Sequence, residues 1–176
     1  MQHIFKTVLL LCFSFMIATA ATYPVDKAHS KVTFQLRHLL FTHVNGTFST
    51  FDGNYTIDHN RVTDLNGYVQ VASISTKSSK RDKYLVSPEF FNVSKYPKIT
   101  MRLLYVKDHE AITEVTIKDR TEQVPFKITL TPSQPKQHLK LEGKISRKAF
   151  GLTWGKAVET GGLVVGDEVK IVIDLE

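Results

Sequence analysis

From Lys31 onward apolar and polar residues alternate with a period of two, the spacing of strands that bury one face. In residues 31–37, Val32, Phe34 and Leu36 share one side, and Lys31, Thr33, Gln35 and Arg37 share the other. Between Gly46 and Ile57 the apolar phase slips from Phe48 to Phe51, just ahead of Asp52-Gly53-Asn54, which predicts a bulge or bend. A longer strand is expected from Leu65 to Thr76, followed by strands over 99–105, 111–118, 124–131, 139–147 and 168–175. The pair 111–118 and 124–131 reads as a hairpin around Asp119-Arg120-Thr121-Glu122. Helix is expected only in short pieces, at Ser79 to Leu85 and Pro88 to Asn92, with a single turn at Arg147 to Gly151. About eight strands with one wet face each indicate antiparallel sheet, because buried parallel strands read as continuous apolar runs. Closing that sheet into a barrel removes edges that would template aggregation, so a barrel is preferred to a sandwich. A barrel of about eight strands is just wide enough to be filled by side chains or to hold one small ligand.

The first twenty residues stand apart from this pattern. Lys6 precedes the apolar run Val8 to Ile17, and Ala18-Thr19-Ala20 has the form of a cleavage signal. Ten or so apolar residues are too few to cross a bilayer, which needs about 20. The expectation is a signal peptide over 1–20 and one domain over 21–176, exported to the periplasm or secreted, with no transmembrane segment in the mature chain. At 176 residues and 42% hydrophobic, the chain has the size of one domain and is too apolar for disorder. Cys12 is the only cysteine and leaves with the leader, so no disulfide, thiol chemistry or cysteine ligand is expected. Basic residues exceed acidic ones by 23 to 17, giving a net charge of +6, but they are scattered, and nucleic acid is not an expected partner.

Candidate chemistry is sparse. His29, His38 and His43 are near in sequence, but the five-residue spacing of His38 and His43 does not put them on one strand face, and no strong metal motif is present. No G-x-S-x-G, Gly-rich phosphate loop or cysteine nucleophile occurs. The carboxylates Asp26, Asp52, Asp82, Glu142 and Asp167 read as turn, cap or surface groups. The run Arg81-Asp82-Lys83-Tyr84 has two readings: a salt bridge or cap fixing the helical piece, or Arg81 and Tyr84 at a cavity mouth touching a headgroup. Likewise Phe150, Leu152 and Trp154 either plug one barrel end or line a pocket. No catalytic residue and no cofactor is assigned.

Several fragments in order carry a resemblance. Tyr23-Pro24-Val25-Asp26-Lys27-Ala28-His29-Ser30, then His38, then Val44-Asn45-Gly46-Thr47-Phe48 resembles the start of the YceI-like family of exported, lipocalin-like proteins. Phe51-Asp52-Gly53, Ile74-Ser75-Thr76, Arg81-Asp82, Phe90-Phe91-Asn92, Tyr96-Pro97-Lys98-Ile99 and Arg147-Lys148-Ala149-Phe150-Gly151 fit the same family. The resemblance spans nearly the whole of 21–176. It implies an extended eight-stranded antiparallel lipocalin-like β-barrel with a short helical insertion, and subunits that pair as a homodimer. It also implies a long apolar cavity for a long-chain amphiphilic lipid: a polyisoprenoid, an isoprenoid quinone, or a fatty acid or amide. Tyr84 stands where the family usually has histidine.

Inward phases of the expected strands supply candidate ligand contacts. The first half of the chain offers Phe34, Leu36, His38, Phe48, Val69 and Val71. Phe90, Ile99, Met101 and Leu103 follow, then Leu141, Ile145, Phe150 and Trp154, with Arg81 and Tyr84 at the mouth. Each methylene withdrawn from water is worth about 0.8 kcal/mol, so such a site favours long tails and discriminates weakly among them. Two other readings remain open at this level: an enzyme on an isoprenoid or lipid substrate, using His29 or His38 with Arg81 or Asp82, and a solid barrel with no ligand.

Overall fold

The structure is a computed structural model that describes residues 20–38, 42–132, 137–154 and 165–176. The expected leader, residues 1–20, lies outside the described residues except for Ala20. Eleven strands form one antiparallel sheet: β1 (Ala21–Pro24), β2 (Lys31–His38), β3 (Thr42–Phe48), β4 (Phe51–Asp58), β5 (Arg61–Gln70), β6 (Ile74–Ser75), β7 (Lys98–Lys107), β8 (Glu110–Ile117), β9 (Arg120–Pro132), β10 (Gln137–Ser146) and β11 (Val165–Leu175). One helix, α1 (Ser79–Val86), follows β6. No helix among the described residues is long and apolar enough to cross a membrane.

The eleven segments make eight staves, with β1 and β2, β3 and β4, and β5 and β6 each sharing one. β3 runs into β4 across the bend at Ser49-Thr50, where the phase slip predicts one, and β5 runs into β6 through a single helical turn, Val71–Ser73. The two bent staves stay paired on both sides of the kink, with Phe51 opposite Val69 and Phe48 opposite Ile74. At the kink the Thr50 carbonyl accepts from the Gln70 amide, and the Ser73 carbonyl from the Ser49 amide. β1 and β2 flank the same bent stave, on β4 and β3 respectively. From β5 the pairing runs through β7, β8, β9, β10, β11 and β2 to β3, and so back into β4. The sheet therefore closes on itself as an all-β barrel, as expected. The one strand that alternation did not predict is β1: four residues with Pro24 among them are too few to show a period.

One half of the barrel is solid. Tyr55, Leu65, Ala111, Thr113, Leu139, Leu141 and Leu175 are all nearly inaccessible and fill it from the inward faces of five strands. Thr113 is accommodated there because its hydroxyl donates to the Val124 carbonyl at 3.0 Å. Tyr55 buries its ring and donates to the Gln137 carbonyl at 3.2 Å. Phe126 lies over Gly143 on the neighbouring strand, so closely that a Cβ there would come within 2.6 Å of the ring. In the same way the Phe34 ring covers Gly46, its cross-strand partner. These glycines make room for the two aromatic rings.

Candidate functional site: a cavity in the open half of the barrel

The other half of the barrel is hollow. A cavity of about 730 Å³ opens there, within the range of small-molecule sites. Its wall comes from strand alternation. One cross-strand row is Ile145, Val169, Leu36 and Val44, each opposite the next on β10, β11, β2 and β3. Ile171 and Phe34 form part of the next row. Phe48 and Ile74 continue the wall onto β6, Phe34 and Phe48 with ring centroids 5.6 Å apart.

Residues 74–93 and 147–154 cover this end. α1 carries Tyr84 and Leu85 onto the wall, and the turns after it add Phe90 and Phe91. Tyr84 stacks on Trp154 at 5.2 Å and 11°, and Phe90 meets Trp154 at 5.0 Å. Lys118 Nζ donates to the Phe90 carbonyl at 3.0 Å, tying the covering segment to the end of β8. Asp82 Oδ1 accepts from both the amide and the hydroxyl of Thr76, which holds the first turn of α1 against β6. Asp82 thus fixes the helix to Thr76, and Arg81 lines the cavity.

The second cover is pinned by Arg147, whose side chain is buried. Its guanidinium donates to the carbonyls of Leu152 at 2.7 Å, Gly166 at 3.0 Å and Val165 at 3.2 Å. Gly151 turns the chain with φ +68°, a conformation that side-chain-bearing residues rarely adopt. Asp167 braces the same turn, accepting from the Ser146 hydroxyl at 2.7 Å and the Lys148 amide at 3.0 Å. Burial by itself would raise the Asp167 pKa. The hydrogen bonds from Ser146 and Lys148, with the charges of Arg147 and Lys148, outweigh it and hold the group below the ordinary carboxylate range. A carboxylate whose pKa is depressed by folding adds stability above its unfolded pKa, and that stability is lost as pH falls through the folded value. Asp167→Asn is expected to lower the melting temperature at neutral pH and to flatten its fall on acidification, read from melting curves between about pH 7 and pH 3.

Nine of the sixteen candidate contacts stand on the cavity wall: Phe34, Leu36, Phe48, Arg81, Tyr84, Phe90, Ile99, Ile145 and Trp154. Val71, Leu103, Leu141 and Phe150 point inward too, but the structure places them in closed core, each 9% exposed or less. Val69 and Met101 are half-buried and lie off the wall. His38 ends β2 opposite Thr42, and its side chain lies outside the described residues. Sequence reading did not name Val44, Val165, Val169 or Ile171, although the last two sit in the alternating run of β11. It also missed Arg147 as a wall residue, because a basic side chain after a strand carries no sign of burial. Of the residues of the enzyme reading, His29 Nδ1 pairs with Asp26 at 3.0 Å and Asp82 accepts from Thr76, while the side chain of His38 lies outside the described residues. Among the described residues no group of three metal-ligating side chains occurs.

A closed antiparallel barrel with one filled half and one hollow, apolar half is a lipocalin-like barrel. The chain belongs to the YceI-like family, whose YceI-like domain model matches residues 23–176. It is 31% identical over 157 residues to UPF0312 protein SAB2563 of Staphylococcus aureus, covering 84% of this chain and 92% of that one. Among solved structures it is similar to BcnA of Burkholderia cenocepacia, with a TM-score of 0.73 and 23% identity over 86% of this chain and 98% of that one. A polyisoprenoid binding domain from Saccharophagus degradans superposes with a TM-score of 0.69 at 12% identity, over 89% of this chain and 97% of the other. The YceI protein of Campylobacter jejuni gives a TM-score of 0.64 at 24% identity, over 88% and 97%. At these identities the structures establish a shared fold.

Proposed function

We propose that this protein binds and carries a long-chain amphiphilic lipid, with the tail in the hollow half of the barrel, and that it does so outside the cytoplasm after loss of residues 1–20. The observation that carries the reading is the cavity itself. The inward residues of β10, β11, β2 and β3 and two covering segments leave about 730 Å³ unfilled, and the wall is almost entirely hydrocarbon. A chain that packed a solid core would have filled this space, since voids forfeit dispersion contacts and cost stability. The likeness to a polyisoprenoid binding domain supports the same reading. Strand β1 begins at Ala21, so cleavage after Ala20 leaves the barrel intact, in keeping with export.

Native mass spectrometry of the protein, purified from its own cell envelope without detergent, tests this. An excess mass at one per subunit, recovered in an organic extract as a free long-chain lipid, is expected. The same spectrum reads whether residues 1–20 are gone and whether subunits pair, as the family resemblance implies. A bare polypeptide mass that takes up no added isoprenoid quinone or fatty amide would overturn the reading.

A further inference from the structure

The polar groups of the cavity are few and of one sign. Besides hydroxyls at Thr33, Thr76 and Ser78, the wall carries Lys80, Arg81 and Arg147, and no Asp or Glu among the described residues lines it. Arg147 is committed to the three carbonyls it holds. Arg81 is oriented but only partly engaged. Its Nε donates to Thr76 Oγ1 at 2.7 Å and one Nη to the Thr76 carbonyl at 2.9 Å. The Thr76 hydroxyl in turn donates a hydrogen bond to Asp82 Oδ1, so the guanidinium is locked from one side. Its other Nη has no hydrogen-bond partner among the described residues. Asp82 stands behind Thr76 and off the wall, and the exposed Lys80 adds a second positive charge at the rim.

A half-buried cation held in a fixed plane beside hydrocarbon attracts an anion more strongly than it would in water, and charge-assisted hydrogen bonds are roughly twice as strong as neutral ones. A hydroxyl or amide headgroup draws on neither advantage. We propose that the cavity selects amphiphiles with an anionic headgroup, a carboxylate or a phosphate monoester, and that Arg81 is the residue that reads the charge. This rests on the amphiphile-binding reading above and names the ligand class within it.

Trp154 is the only tryptophan of the chain and stands on the cavity wall, so its fluorescence reports occupancy. The delipidated, full-length mature protein is titrated with palmitate, hexadecyl phosphate, palmitamide and hexadecanol, all below their aggregation concentrations. Their tails match, so the ranking isolates the headgroup. Palmitate and hexadecyl phosphate are expected to bind about tenfold tighter than the two neutral probes, the scale of one hydrogen bond to a charged group. Arg81→Gln is expected to weaken the two anions about tenfold and the neutral probes by less than about twofold. Inorganic phosphate, which has no tail, is expected to leave both fluorescence and palmitate binding unchanged. If Arg81→Gln does not fold, the wild-type ranking decides. Neutral probes binding as tightly as the anions would overturn this inference while leaving the lipid-binding reading intact. Saturation by inorganic phosphate alone would overturn it in favour of a free-anion site. Failure of all four probes would overturn both.

Discussion

Val169→Trp is expected to empty the cavity of ligand while leaving the barrel folded. Val169 is in the middle of β11, opposite Ile145 on one side and Leu36 on the other, and all three line the hollow. An indole placed there occupies space that the native sequence leaves open, so the ring meets little of the strain that follows overpacking of a filled core. If it displaces about four methylenes of a bound tail, at about 0.8 kcal/mol each, the loss is about 3 kcal/mol, more than a hundredfold in affinity. The measurement is the lipid recovered per subunit by native mass spectrometry, beside a melting curve. Loss of ligand with a melting temperature within a few degrees of wild type fits the cavity reading. Full retention of ligand would show that no tail runs along the β10–β11–β2 wall.

Arg147→Met is expected to be among the most destabilising single changes in the chain. Methionine keeps an unbranched stem but leaves the carbonyls of Leu152, Val165 and Gly166 without their shared donor. Leaving a buried polar group unpaired costs about 1–3 kcal/mol, so three partly relaxed carbonyls cost about 3 kcal/mol or more together. At about 2–4 °C per kcal/mol for a domain of this size, the melting temperature is expected to fall by about 6–12 °C. Arg147→Lys is expected to recover little of this, because an ammonium is a point donor and cannot span three acceptors. Hydrogen exchange is the sharper readout. Protection is expected to be lost first in residues 147–152 and at the start of β11, and to persist in the solid half around Leu139 and Leu141. Uniform loss across the barrel would mean that Arg147 supports the whole core and not one cover.

The two variants probe two halves built on different principles. In the solid half, large side chains from facing strands meet, and Gly143 yields its place to Phe126. In the hollow half, the wall residues Val44, Val169 and Ile171 are medium-sized and half-buried, and the volume they leave is closed by two segments that lie mostly outside the strands. Those segments are held by buried side chains, Leu85, Phe90, Phe91, Phe150 and Leu152, and by polar pins, Asp82 to Thr76 and Arg147 to three carbonyls.

Much of this was legible in the chain itself. Alternation depends only on the two-residue period of the extended backbone, so it located the long strands after β1 and the inward residues of β2, β7 and β10. The slip between Phe48 and Phe51 announced the bend at Ser49-Thr50, because a change of phase requires the backbone to kink. The order of fragments from Tyr23 to Leu175 pointed to the family. Periodicity separates inside from outside but is blind to height along the barrel axis. Leu36 and Leu141 are alike in type, strand setting and inward phase, yet Leu36 lines the cavity and Leu141 is sealed in core. Which of them meets empty space depends on the strands opposite and on which end α1 covers. Those contacts join residues far apart in sequence, and only the folded barrel brings them together. In the same way, nothing adjacent to Arg147 shows that it is buried: its acceptors lie up to 19 residues away, and closure of β10 against β11 sets them around it.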